Sequence, residues 1–321
     1  MKYFVIIVVL LLVGSIHTYA DPPITAVTIT PDGQQVLLGS QLGIEIRSLP
    51  DLNVSGKLAT QLEHVHDLKF SPDGQSLLAA GGSPAQSGRV EVWNWSKRER
   101  VLEVGGHNDV VYRVAWSPEG TQWFTCSGDG RCVVFSAAIG QRVTQYEGHS
   151  RGVLAGVYVD NDLIASAGID QTIRLWSGSD GSHQRTLDNH VGTVNDVALQ
   201  PALANPTGDV IATISEDRTV RLWQLRIGRL MRFTKLASVP RSLAWSNDGK
   251  KLYVGCDDAH FRIIDAESME TEAEIDGRVG RIYELVVDLA GRFIVTAGER
   301  GVCILLAKDV QNEDRVKEKR R

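Results

Sequence analysis

The sequence predicts an all-β, seven-bladed β-propeller, and three observations carry that prediction. A motif returns about every 40 to 45 residues, the period of a propeller blade. Each copy is closed by an alternating strand that, in six of the seven copies, ends on a large apolar residue. No stretch after residue 20 sustains a helical period.

The motif begins as an apolar strand running into a tight turn. It reads Ile29-Thr-Pro-Asp-Gly33, Phe70-Ser-Pro-Asp-Gly74, Trp116-Ser-Pro-Glu-Gly120 and Trp245-Ser-Asn-Asp-Gly249, with looser copies at Val159-Asp-Asn-Asp162, Leu199 to Gly208 and Val287-Asp-Leu-Ala-Gly291. Proline presets the turn and glycine supplies positive φ, so each is a hairpin corner between antiparallel strands. Downstream, alternating strands end at Trp93, Phe135, Trp176, Trp223, Ile264 and Leu305, while the first copy, Ile44-Glu-Ile46, lacks a large residue. Period-two alternation puts these residues on one face, where radially stacked sheets can bury them.

Composition agrees with a packed globular chain. Of 321 residues, 43% are hydrophobic and 23% charged, outside the disordered range. A net charge of −5 without a basic stripe argues against nucleic acid as a partner. Residues 1–20 differ from the rest: Met1 and Lys2 precede an apolar run from Tyr3 to Val13, and Gly14 to Ala20 end in Thr-Tyr-Ala, with a small residue at the expected cut after Ala20. That is the layout of a cleaved secretory signal. An uncleaved anchor would need about 20 unbroken apolar residues. The expected organisation is a signal at 1–20, one propeller domain at 21–307 and a charged tail at 308–321, with export, no membrane insertion after cleavage, and a monomer. Four cysteines are too few for a disulfide scaffold. Cys126 and Cys132 flank a short turn and are either a bridge or two small buried hydrophobes.

These residues resemble the WD-repeat (G-beta-like) family. Gly106-His107 and Gly148-His149 precede copies, Ser-Pro-Asp-Gly turns recur, and Trp-ended strands close them, over residues 24–307. The resemblance implies four-stranded blades around a central channel. It also implies that His149, Ser166, Asp170 and Trp176 form an internal hydrogen-bonded network, nearly repeated by His190, Thr213, Asp217 and Trp223. A catalytic triad would occur once, whereas these residue types recur with a Trp beside them, which marks them as structural. Two departures bear on closure and pattern. Asn189 replaces the Gly before His190, and only residues 21–23 would precede the first strand after cleavage. The outer strand of blade seven must then come from the tail or be missing, so a weak last blade is expected.

No phosphate-binding loop, His-Glu-x-x-His or Gly-x-Ser-x-Gly elbow is present, so no catalytic residue is assigned. His64 and His66 alternate near Glu63 and Asp67 but do not make a metal site between them. Asp160 and Asp162 are read as a hairpin turn, and no metal or cofactor is expected. Binding is sought where copies differ. Four residues before each first-strand anchor stand Thr25, His66, Tyr112, Ala155, Asn195, Arg241 and Tyr283, near the channel mouth by analogy with the family. Tyr and Arg dominate binding hot spots, so Tyr112, Arg113, Arg241, Arg281 and Tyr283, with His66, are the candidate partner-binding residues. The leading reading is an exported scaffold for a protein or peptide. The alternatives are a hydrolase or lyase with a channel-centred site, which requires polar residues converging from several blades, and a structural part of an envelope assembly.

Overall fold

The computed structural model describes residues 22–205 and 208–306. The signal at 1–20, the tail at 308–321, and Pro206 and Thr207 of the blade-five loop lie outside the described residues. The chain forms seven antiparallel sheets, six of four strands and one of three, and within each the strands pair in sequence order. Blades one to seven occupy residues 26–58, 65–107, 111–146, 153–187, 194–235, 240–276 and 282–306. The seven-bladed all-β expectation is met.

Local chemistry makes the hairpins at the end of the propeller opposite the mouth. In the first copy Thr30 Oγ1 donates to Asp32 Oδ1 (2.5 Å), and the Gly33 amide closes the turn on the Thr30 carbonyl (2.8 Å) with φ +66° at Gly33. Ser71 and Asp73 repeat the arrangement at 2.6 Å, with Gly74 at φ +70°. The left-handed φ is what demands glycine there. Asp160 and Asp162 also form a turn: Asp160 Oδ1 accepts the amides of Asp162 and Leu163 at 2.9 and 2.7 Å.

The core is divided into layers between neighbouring blades. Trp123, Trp176 and Trp223 are fully buried, and Trp123 stacks on Phe135 at 4.4 Å. Between blades four and five, for example, Ala165, Leu175, Val197, Ile211 and Trp223 make one cluster. Apolar burial of this kind is worth about 25 cal/mol per Å², so the interblade layers hold the ring together. Polar staples add register to it. Asp67 Oδ2 accepts the Val114 amide of the next blade at 2.9 Å, Asp196 Oδ2 the Leu243 amide at 3.0 Å, and Ser242 Oγ the Leu285 amide at 2.8 Å. The Trp116 and Trp245 indoles likewise each donate 3.1 Å to a carbonyl of the preceding blade, on Lys69 and Ala198.

Blade one closes the ring against blade seven by packing Val27, Val36 and Leu38 on Val295 and Ala297, and the Ile24 amide donates to the Gly298 carbonyl at 3.0 Å. Among the described residues blade seven has three strands, ending with Gly301–Leu306. Cys126 and Cys132 sit directly opposite one another with their sulfurs 4.0 Å apart, both buried, as free thiols.

Candidate functional site

The predicted internal networks are assembled within blades four and five. His149 Nδ1 lies 3.0 Å from Asp170 Oδ2, its Nε2 lies 2.9 Å from Ser166 Oγ, and the Trp176 indole donates to the same Oγ at 3.0 Å. A carboxylate can only accept, so Nδ1 carries the proton, Nε2 accepts from the serine hydroxyl, and the serine oxygen accepts from tryptophan. His190 repeats this with Asp217 and Thr213 at 2.8 Å each, and Trp223 donates to Thr213 at 2.8 Å. Ser166 and Thr213 are completely buried. A nucleophile needs a free, reachable oxygen, and these have neither property, so the chain of bonds is a blade support.

Burial pushes the Asp170 carboxyl up, but its bonds from His149 and Thr172 outweigh this and hold it well below the usual range. Asp217 is brought to about 2 in the same way, by Thr219 and His190 against burial. Blade three carries a third network that the sequence reading passed over. His107 Nδ1 meets Asp129 at 3.0 Å and its Nε2 meets Thr125 at 2.7 Å, with Phe135 in place of tryptophan. The signal was present, since Gly106-His107 is followed by Thr125 and Asp129 at nearly the offsets of blade four. In blade two, fully buried Glu91 serves instead, accepting from the Trp93 indole (3.1 Å), the Gln61 amide (2.8 Å) and Arg100 (2.7 Å).

At the mouth of the channel, six of the seven inner strands share a feature invisible in the sequence. Each has a register shift near its start that leaves one residue unpaired: His66, Tyr112, Leu154, Asn195, Arg241 and Tyr283. Such bulges re-aim a side chain and end pairing. The ring corrects one assignment. Blade four presents Leu154, because its inner strand ends at Tyr158 and not Val159, and Ala155 is buried. In blade one Thr25 precedes the strand and bonds across to the Val65 carbonyl at 2.5 Å.

The ring residues are all half-buried and differ in engagement. His66 and Tyr112 meet edge to face, ring centroids 5.3 Å apart. Burial and neighbouring His64 lower His66 to about 4, so it is neutral at pH 7, while burial and Asp109 raise the Tyr112 phenol. Arg241 forms a two-pronged pair with Asp257, 2.9 Å on each arm, and reaches Glu216 at 3.1 Å. Exposed Arg281 shares Asp257 at 3.1 Å. Tyr283 lies two residues after Arg281, on the blade that follows that of Arg241.

Arg113 is placed differently from the rim residues. Its side chain turns into the channel, 12% exposed, and meets Asp196 at 2.7 Å, Glu284 at 3.3 Å and Asp67 at 3.7 Å. Lys69 also approaches Asp67 at 3.3 Å. Four blades thus converge on one guanidinium. Burial works against the Arg113 charge, but Asp196, Glu284 and Asp67 hold its pKa well above the ordinary value, while burial raises Asp196 and pushes Glu284 up to about 7. This is the polar convergence an enzymatic channel site would need. Its members are instead engaged with one another and with backbone amides, as an ion-paired plug. On the far side of the plug lies a cavity of about 540 Å³ walled by Phe70, Trp116, Tyr158 and Trp245.

His64 and His66 have ring centroids 6.3 Å apart and belong to no metal-binding group among the described residues. The group with suitable donors is Asp258, His260 and Glu274, but Arg262 fills it, 2.7 Å from Asp258 and 3.0 Å from Glu274.

Comparison with known proteins fits this architecture. The family model described as WD domain, G-beta repeat, matches residues 56–94, 98–136, 140–177 and 181–224. The model of the anaphase-promoting complex subunit 4 WD40 domain matches residues 203–285. Relatives include Protein ROOT INITIATION DEFECTIVE 3 of Arabidopsis thaliana, 26% identical over 74% of this chain and 58% of that protein. A guanine nucleotide-binding protein subunit beta of Oryza sativa subsp. japonica is 29% identical over 58% of this chain and 53% of its own. The anaphase-promoting complex subunit cdc20 of Dictyostelium discoideum is 25% identical over 83% and 52%. The chain spans little more than half the length of these relatives. WD-repeat proteins are in general non-catalytic scaffolds that engage protein partners. With seven antiparallel blades, repeated His–Asp–Ser/Thr networks and two family models matched along its length, the chain belongs to the WD-repeat (G-beta repeat) family.

Proposed function

We propose that this protein is an exported scaffold that holds a protein or peptide across the mouth of its channel, without catalysing a reaction. The observation that carries the reading is the ring of bulged residues. A rigid frame presents six equivalent positions, and they bear His66, Tyr112, Leu154, Asn195, Arg241 and Tyr283. Equivalent scaffold positions occupied by unlike side chains are where recognition can be encoded without disturbing the fold. Tyr112 and Tyr283 offer broad amphipathic surface at low conformational cost, and Arg241 and Arg281 hold their guanidinium groups fixed on Asp257. Arg113 supports this mouth from below as part of the plug. Two of the relatives are, by name, subunits of larger assemblies, which accords with the role proposed.

Export rests on residues 1–20, whose charged start, apolar core and small-residue end have the form of a signal. Protein purified from its native cells should begin at Asp21 on terminal sequencing. A start at Met1 or Lys2 in a cytosolic fraction refutes export while leaving the scaffold reading intact.

For the mouth, the test is affinity capture with three baits: the unaltered protein, Tyr112→Ala/Tyr283→Ala, and Leu289→Ser at an exposed turn on the opposite end. Arg241 is left in place because it also neutralises Asp257. A partner held by the first and third baits and lost from the second, with circular dichroism unchanged, supports the proposal. Equal capture by all three removes the mouth as the site.

A further inference from the structure

The outer rims of two adjacent blades carry opposite charge. From residue 225 to 235, the last turn and outer strand of blade five contain four cations and no carboxylate. From residue 265 to 276, the matching part of blade six contains six carboxylates and no cation. The four cations are exposed, and so are all the carboxylates but Asp265. The rest of the molecule mixes the two signs, so this segregation stands out on a chain of net charge −5.

Part of the basic row faces the acidic row across a groove: Arg229 and Arg232 do, whereas Lys235 stands opposite Thr219 on the other side of the strand and Arg226 pairs with Asp160 of blade four at 3.1 Å. Arg232 lies opposite Leu222, whose side of the sheet packs against blade six. Glu272 and Glu274 alternate with Ala273 and Ile275, which pack towards blade seven, so the glutamates stand on the side turned to blade five. No ion pair crosses this groove among the described residues. Glu272 and Glu274 pair within their own blade, with Lys251 at 2.7 Å and Arg262 at 3.0 Å, while Arg232 and Lys235 have no ion pair at all among the described residues. The basic rim also exposes apolar side chains: Phe233 is 57% exposed and Ile227 58%.

We propose that this side of the propeller is a two-fold interface with a second copy of the chain. A two-fold axis passing between the rims sets the basic rim of each copy against the acidic rim of the other, and does so twice, which is the self-complementarity an isologous dimer requires. Arg229 and Arg232 of each copy then find carboxylates on the other, while Phe233, opposite Arg221, stays on the far side of the strand. An acidic peptide would match the basic rim alone and leave the carboxylate row of blade six facing it. A second copy satisfies both rows with one surface. This interface is on the flank and leaves the channel mouth open.

Sedimentation velocity on the full chain tests the proposal, with the unaltered protein, a basic-rim reversal (Arg229→Glu/Arg232→Glu) and an acidic-rim reversal (Glu270→Lys/Glu272→Lys). Circular dichroism verifies that each is folded, as expected for exposed positions. The unaltered protein should dimerise, and raising the ionic strength from about 0.05 M to about 0.5 M should weaken it through screening. Each reversal should weaken self-association at least about tenfold through like-charge repulsion. Mixing the two reversed variants should restore a dimer, because the glutamates of one then meet the lysines of the other. Three results overturn the proposal: unaltered protein that stays monomeric at low salt over the whole concentration range, reversed variants that dimerise as well as the unaltered chain, or a mixture that remains monomeric.

Discussion

Ser166 stands at the centre of its blade, accepting from the Trp176 indole and donating to His149. Ser166→Ala would leave both buried partners unsatisfied. Urea denaturation should show a loss of about 2 to 6 kcal/mol, at about 1 to 3 kcal/mol for each of the two orphaned groups. A loss comparable with that of an exposed-site variant would show that the network does not support the blade. Arg113 is the charged case. Arg113→Met leaves Asp67, Asp196 and Glu284 facing one another with Lys69, 3.3 Å from Asp67, as the remaining cation, and breaking a buried pair in this way costs about 3 to 5 kcal/mol. The deficit should depend on pH. Burial raises Glu284 to about 7, so its protonated form is favoured by the fold; that contribution is full below the unfolded value of 4.5 and is lost as pH rises through about 7. Asp196 is raised in the same direction. The variant's deficit measured at pH 6 should therefore be smaller than at pH 8, and an equal deficit at both would show that charge repulsion is not its cause.

At the scale of elements, the last blade is the informative one. The strand Ile173–Ser177 of blade four has partners on both sides, whereas Gly301–Leu306 of blade seven has one partner strand among the described residues. An edge strand protects only the amides that point inward. Hydrogen exchange should find Val302–Leu306 less protected than Ile173–Trp176, and equal protection would mean that the outer side of blade seven is covered. The same element scale explains where the sequence reading of the mouth slipped by one residue. The turn motif Val159-Asp-Asn-Asp162 has the form of its counterparts, but the blade-four strand stops at Tyr158, so counting from the motif lands on Ala155. Bulges come from pairing between strands, and no single strand records its own register.

For the molecule as a whole, the shifted groups give acid sensitivity a definite direction. His66 and His190 are lowered, by burial first, so the stability of their neutral state is present above about 6.5 and is lost as pH falls, through about 4 in the case of His66. Asp129, Asp170 and Asp217 are lowered against burial by their histidine and other hydrogen-bond partners, and their contribution is present above 3.8 and lost below it. Glu284 and Asp196 oppose this trend but are outnumbered. The urea midpoint read by tryptophan fluorescence should fall between pH 6.5 and 4 and fall more steeply below 4. A midpoint that rises on acidification would place the plug, and not the networks, in control of stability.

What the sequence determined by itself was the repeat and all that follows from it: seven blades, antiparallel hairpins at the Pro-Asp-Gly corners, and the His149 and His190 networks. These are local facts, because period, turn chemistry and offset within one copy are written along the chain. The family assignment rests on the same repetition. Only the tertiary structure decided that Arg113 leaves the mouth to meet Asp67, Asp196 and Glu284 from three other blades, that bulges set the ring at the rim, and that a basic outer strand faces an acidic one. Each of those depends on residues tens to well over a hundred positions apart, brought together when the ring closes, and periodicity within a copy says nothing about which side chains meet between copies.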